Sequence, residues 1–265
     1  MKKNVSIIIC AFNEEKTIEY VVSSCCKYNK ESEIIVVDDG STDNTRNILA
    51  KLQKKYSFIY EIFPENKGKS YAMAHGVELS TNEIILFWDA DIYNIKKKHF
   101  EMILNPIFNN EADMVIGQRQ SADTLINYIL NPFKPLFKPL SGERALWKKD
   151  ILEIVDEIRH TRFGVETFIN LYYQAQGKRI KYILLNGLSH PIKYQKTAPV
   201  NATKELLSEG KEIVTTLIKN QDLIIKRINN IINNKNKKMR DKYLLLQDQI
   251  NNKIEKLKNK ITPYV

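Results

Sequence analysis

Four short apolar runs, each separated from the next by a stretch of helical periodicity, restrict this chain to very few folds. The runs are Val5–Ala11, 34–37, 58–63 and 84–88, and the stretches between them are 14–28, 44–56 and 70–79. In the first stretch Ile18, Val21, Val22 and Cys25 recur at the spacing that lines one face of a helix. Strands that alternate with helices in this way build a mainly parallel sheet covered on both faces, and ligands then gather at the carboxyl ends of the strands. The second half continues with a helix at 99–108, an apolar run at 114–117, a proline-interrupted loop at 131–140, helices at 148–158 and 165–176, and a strand at 180–185. Pro199 closes this α/β domain, 1–199, and residues 200–265 form a separate basic helical extension.

The predicted strand ends carry the chemistry. Asp89-Ala90-Asp91 follows the fourth apolar run directly and offers two hard oxygen donors. Such a pair can hold a divalent cation on a diphosphate with one carboxylate and reach a ribose or a metal-bound water with the other. Turn and cap chemistry is the plainer use of two nearby aspartates. Asp38-Asp39-Gly40-Ser41-Thr42-Asp43 ends the second run, where a helix-start turn is again the structural alternative. Lys69 follows Gly68 at a predicted helix N-terminus, so backbone N–H groups and an ammonium can face a pyrophosphate there. An exposed lysine with no partner is the competing reading.

Taken in order, Ala11-Phe12-Asn13-Glu14-Glu15, Val36-Val37-Asp38-Asp39-Gly40-Ser41-Thr42-Asp43, Asn66-Lys67-Gly68-Lys69 and Asp89-Ala90-Asp91 resemble the family-2 glycosyltransferases with the GT-A fold. The resemblance spans about residues 4–195 and has no counterpart beyond 200. It implies a nucleotide-sugar donor, a UDP-sugar by preference, held with Mn²⁺ or Mg²⁺. Ala11, Phe12 and Glu14 would then contact the base and ribose, Asp39 the uracil imide, Lys69 the diphosphate, and Asp89, Ala90 and Asp91 the diphosphate and its metal. Leu140-Ser141-Gly142-Glu143-Arg144-Ala145, Phe163-Gly164-Val165-Glu166 and Ser189-His190 further resemble the bacterial glucosyl-3-phosphoglycerate synthase and dolichyl-phosphate sugar synthase-like group.

In that pattern His190 completes the metal shell of Asp89 and Asp91, although a lone histidine is more often structural. Glu143 and Arg144 lie in the segment that shapes the acceptor pocket, with a local ion pair as the alternative. Glu166 takes one of two roles. Inverting relatives carry Glu-Asp here and use a carboxylate as base, whereas this chain has Glu166-Thr167, and retaining relatives use the glutamate to hold sugar hydroxyls. A capping glutamate is the structural alternative. The implied catalytic set is therefore Glu166, Asp91 and Glu143, with glucose and retention favoured by resemblance. A phosphorylated small molecule, a polyprenyl phosphate and a diacylglycerol-type lipid all remain open as acceptor.

Two competing classes are weaker. A sugar-phosphate nucleotidylyltransferase needs a glycine-rich loop after the first strand, and 11–15 contains no glycine. A catalytically weak module that binds membrane or nucleic acid through its tail leaves the acidic clusters without a use. Of the net charge of +10, residues 201–265 supply +7, from 14 Lys/Arg against 7 Asp/Glu, so the basic character belongs to the tail and argues little for nucleic acid. Leu207, Val214, Leu217, Ile224 and Ile231 form its apolar stripe, which suits homo-oligomerisation or contact with an anionic membrane. No stretch approaches the roughly 18 apolar residues of a spanning helix. Asn13, Glu14 and Glu15 cut the first apolar run short without a cleavage site, so the expectation is a cytoplasmic protein, peripheral on the inner membrane face if the tail binds lipid. Three cysteines, Cys10, Cys25 and Cys26, do not make a disulfide framework.

Overall fold

The computed structural model describes residues 5–118, 141–161 and 164–189, together with 219, 220, 222–226, 229 and 252 of the extension. The predicted loop 131–140, His190, and most of 200–265 lie outside the described residues.

The first half folds as its periodicity requires. It runs β1 (Val5–Ala11), α1 (Ile18–Tyr28), β2 (Glu33–Asp38), α2 (Thr45–Leu52), β3 (Ile59–Ile62), α3 (Lys69–Leu79) and β4 (Ile84–Phe87). These strands lie in the parallel order β3-β2-β1-β4. Because β1 sits in the middle, both its faces are covered: Ile7 and Ile9 join the core with Val21 of α1, while Ile8 joins the opposite core with Met73 and Val77 of α3. An uninterrupted apolar run satisfies two faces at once, and that is why β1 does not alternate. The chain leaves β1 outward to β2 and β3 and returns to β4 on its other side. This reversal is the topological switch where open α/β sheets bind ligands.

The second half comprises α4 (Lys97–Phe108), β5 (Met114–Gln118), β6 (Arg144–Trp147), α5 (Lys148–Leu152), α6 (Val155–Arg159), α7 (Val165–Ala175) and β7 (Ile180–Leu184). Among the described residues it completes a sheet of seven strands in the order β3-β2-β1-β4-β6-β5-β7. One strand corrects the sequence reading. The segment around Glu143 and Arg144, for which periodicity predicts no strand, holds one: Arg144 opens β6, which is antiparallel to β4 with Phe87 opposite Arg144 and Ile84 opposite Trp147. The predicted helix 148–158 is also two helices. Ile154 leaves the helical region at φ −129°, and Ile151, Ile154 and Ile158 all pack into the core that holds Met73 and Val77.

Where the extension is described, it folds back on this body. Residues 222–226 are helical, Ile224 is 2% exposed, and Leu223 packs against the α3 and α7 core. Ile224 belongs to the stripe expected to serve self-association or membrane contact, and in this chain it is buried. Among the described residues no helix is long and apolar enough to cross a membrane.

Candidate active site

The loops after β1 and β2 are laced into one surface. Asn13, held at φ 56°, donates its N–H to Ser41 Oγ at 2.9 Å, and its Oδ1 accepts from the N–H groups of Thr42 at 2.8 Å and Asp43 at 3.3 Å. Glu14 N–H reaches Thr45 Oγ1 at 2.9 Å, and Glu15 N–H reaches Asp43 Oδ2 at 3.1 Å. Asparagine is among the residues that tolerate the left-handed region, and here its amide oxygen is spent on the loop after β2. Phe12, 44% exposed, projects beside this surface, and Ala11 lies buried with its carbonyl accepting the Asp39 N–H at 2.8 Å.

The two aspartates at the end of β2 divide the labour. Asp38 is fully buried and works inward, accepting from Ser41 N–H at 2.8 Å and pairing with Arg46 Nε at 3.3 Å. Asp39 straps the next loop, accepting from Lys67 N–H at 2.7 Å and Gly68 N–H at 2.9 Å. Burial raises the Asp39 pKa, and those two N–H groups offset part of the rise. Gly40, at φ +77°, lets the two loops close up: a Cβ there would stand 2.4 Å from the Glu65 carbonyl carbon.

Strapped in this way, the loop delivers Lys69 at the first turn of α3 into an acidic cluster. Its Nζ donates to Asp89 Oδ1 at 3.0 Å and to Glu166 Oε1 at 2.7 Å. Burial alone would lower the Lys69 pKa, but the Asp89 and Glu166 carboxylates outweigh it and hold the ammonium well above the ordinary lysine value. Burial likewise pushes Glu166 upward, and Lys69 with Arg144 brings it below the usual carboxylate value. Lys69 and Glu166 are therefore both charged near neutral pH. The Cys10 thiol shares this surrounding, and burial pushes it up to about 12, so it stays protonated.

Arg144 supports the cluster from inside. Fully buried at the start of β6, it donates to Ser141 O at 2.7 Å, Asn170 Oδ1 at 3.2 Å and Glu166 O at 3.4 Å. One guanidinium thus joins the segment before β6 to the first turn of α7. Gly142 lies between them, and a Cβ there would stand 2.1 Å from Asp89 Oδ1, so the bare backbone is what admits the carboxylate. Glu143 is sealed in the interior, where its Oε2 accepts from Ser141 Oγ at 2.7 Å.

The structure thus brings Lys69, Asp89 and Glu166 together at the β1–β4 switch, beside the surface that carries Ala11, Phe12, Glu14 and Asp39. Ala90 and half-buried Asp91 follow Asp89 in the turn after β4. Among the described residues no group of three or more His, Cys, Asp or Glu side chains forms a metal cluster. His190 lies outside them, but its neighbour Ser189 is bridged to Tyr93, two residues past Asp91: Tyr93 N–H donates to Ser189 O at 2.7 Å, and Asn94 Nδ2 donates to Ser189 Oγ at 3.1 Å. Asp89 and Asp91 offer the hard carboxylate oxygens that a divalent cation takes, and Asp89 Oδ1 now holds the Lys69 ammonium. Sequence reasoning missed Asn13, whose positive φ leaves no sign in composition. It also missed Arg144 as an internal brace, because a buried arginine and a surface arginine read alike.

Comparison with known proteins gives the family and the fold. Residues 6–164 match the family model described as glycosyl transferase family 2. A cholesterol galactosyltransferase of Borreliella burgdorferi is 30% identical over 170 residues, covering 63% of this chain and 46% of its own length. A poly-beta-1,6-N-acetyl-D-glucosamine synthase of Staphylococcus aureus is 31% identical over 199 residues, covering 68% and 48% respectively. The chain therefore spans about half the length of these relatives. Among solved structures, glucosyl-3-phosphoglycerate synthase from Mycobacterium tuberculosis in complex with Mn²⁺, UDP-glucose and phosphoglyceric acid superposes with a TM-score of 0.66 at 21% identity, over 82% of this chain and 79% of that one. The same enzyme with Mg²⁺ and UDP gives 0.65 at 20% identity over the same shares. At that identity the likeness establishes the fold, which is GT-A.

Proposed function

This chain belongs to glycosyl transferase family 2, and from that premise we propose that it transfers a hexose, glucose in the first instance, from a UDP-sugar to an acceptor hydroxyl with the help of Mn²⁺ or Mg²⁺. The observation that carries the reading is the Lys69–Asp89–Glu166 cluster at the sheet's switch point, next to the laced loops after β1 and β2. The laced loops offer a cradle for a nucleoside, with Phe12 exposed for stacking and Asp39 at its inner edge. Asp39 already accepts two N–H groups, but a carboxylate has further lone pairs for a third.

Asp89 and Asp91, with His190, would hold the divalent cation, whose charge would neutralise the diphosphate as the sugar leaves. Lys69 offers the same oxygens a second positive charge from the helix N-terminus. Glu166 suits holding sugar hydroxyls better than abstracting a proton, because a carboxylate bridged by an ammonium is a weak base. Arg144 and Gly142 fix the wall on which Asp89 and Glu166 stand. Residues 1–199 then form the catalytic domain, and 200–265 an appended extension.

The test is release of UDP from UDP-glucose by the full chain with Mn²⁺, with phosphoglycerate, a polyprenyl phosphate, diacylglycerol and a sterol supplied in turn as acceptor. Turnover with one of them, abolished by chelator and by Asp91→Ala, supports the reading. Absence of both turnover and metal-dependent UDP binding overturns it.

A further inference from the structure

Asp89 and Glu166 come from opposite halves of the sheet, and their side chains are only 16% and 12% exposed. Two carboxylates so little hydrated need a counter-charge. Lys69 is hydrogen-bonded to both, whereas Arg144 lends Glu166 its charge through space while its own hydrogen bonds go to Ser141 O, Glu166 O and Asn170 Oδ1. A divalent cation arriving alone at Asp89 would therefore meet an ammonium 3.0 Å from the oxygen it needs. Displacing that ammonium would also break its 2.7 Å ion pair with Glu166. A nucleoside diphosphate changes the balance, because its negative oxygens give Lys69 a new partner at the helix N-terminus as the cation takes Asp89. The Lys69 side chain is 33% exposed on a flexible stem, and the strap from Asp39 to Lys67 and Gly68 places the nucleoside side of the cleft two residues away.

We propose that Lys69 is a built-in placeholder cation, which keeps the site closed to free divalent metal and so couples metal binding to binding of the nucleotide diphosphate. This rests on the glycosyl-transfer reading, because it takes Asp89 as a metal ligand. Coupling of this kind is reciprocal: whatever factor UDP adds to metal affinity, metal adds to UDP affinity. The diphosphate is the part that matters, so uridine does not release the lock.

The experiment measures Mn²⁺ binding to the full chain by electron paramagnetic resonance, alone and with saturating UDP or uridine. Wild-type protein is expected to bind Mn²⁺ at least about 10-fold more tightly with UDP than without it, the size of a typical coupling, and to show no gain with uridine. Lys69→Met removes the ammonium, so Mn²⁺ alone should bind at least about 10-fold more tightly than to wild type, with the UDP effect reduced. Lys69→Arg keeps the charge and should keep the coupling. Should Lys69→Met fail to fold, as judged by circular dichroism, Lys69→Gln carries the same expectation.

Unchanged affinity for Mn²⁺ alone in Lys69→Met, with only UDP binding weakened, would show that Lys69 is a phosphate contact and nothing more. That result overturns the placeholder while leaving glycosyl transfer intact. A wild-type protein that binds neither Mn²⁺ nor UDP, separately or together, removes the reading beneath it instead.

Discussion

At the scale of single residues, the site depends on groups that leave room as much as on groups that react. Gly142 is the clearest case. An added methyl would overlap the Asp89 carboxylate, so Gly142→Ala is expected to displace Asp89 and lower turnover about 100-fold, the usual cost of a misplacement near 1 Å. The thermal midpoint should move little, and turnover within 2-fold of wild type would show that the segment yields freely. Asp39→Asn tests the strap: an amide offers one oxygen where two N–H groups need acceptors, and its NH₂ opposes the other. A charged hydrogen bond contributes about 1.5–3 kcal/mol, so chemical denaturation should show a loss near the lower figure, together with weaker UDP binding by calorimetry. Unchanged stability would mean the loop is held by other contacts. Asp39, Lys69 and Asp89 were legible in the sequence because each lies beside a strand end or helix start that periodicity locates. The pairing of Lys69 with Glu166 was not, since 97 positions separate them and nothing local says which carboxylate a lysine will meet.

At the scale of elements, periodicity located every strand of the first half because each is a short, largely apolar run bounded by turns. It missed β6 for a physical reason: four residues that begin with arginine and end with tryptophan neither alternate nor form an apolar run, and their partner β4 is far away in sequence. The register of α4 against the turn after β7 depends on His99. This fully buried ring accepts from Lys96 N–H through Nδ1 at 3.2 Å and faces Asn186 O through Nε2 at 3.2 Å, an arrangement that needs the neutral tautomer with the proton on Nε2. Burial lowers its pKa, the Asn186 carbonyl opposes that, and the charges of Lys98 and Lys96 add to it. The unfolded chain therefore binds a proton near pH 6.5 that the folded chain refuses until lower pH, so stability present above about 6.5 is lost as pH falls toward the folded value. Thermal midpoints measured from pH 7.5 to 5 should decline, and the decline should be shallower in His99→Gln. Parallel curves for the two proteins would remove His99 as the cause.

At the scale of the whole molecule, the site joins two halves of the sheet: β1, β2 and β4 bring Asp39 and Asp89, and β6 with α7 brings Arg144 and Glu166. A ligand that bridges them should stabilise the entire fold. UDP with Mn²⁺ at 100 times its dissociation constant adds about 2.7 kcal/mol, which for a protein of this size is a rise of about 5–10 °C in the thermal midpoint. No rise with UDP and Mn²⁺, at concentrations that saturate calorimetric binding, would show that the ligand does not tie the halves together. The fold class was readable from the first half alone, whereas completion of the site depends on long-range pairing. That antiparallel pairing of β6 with β4 also orders events in time. A ribosome delivers β1 to β4 first, and their parallel pairs can form while the rest is still being made. At roughly 5–20 residues per second, several seconds then pass before Arg144 and Glu166 emerge. Throughout that interval Asp89 has no β6 beside it, and a nascent chain carries an unfinished site until β6 and α7 arrive.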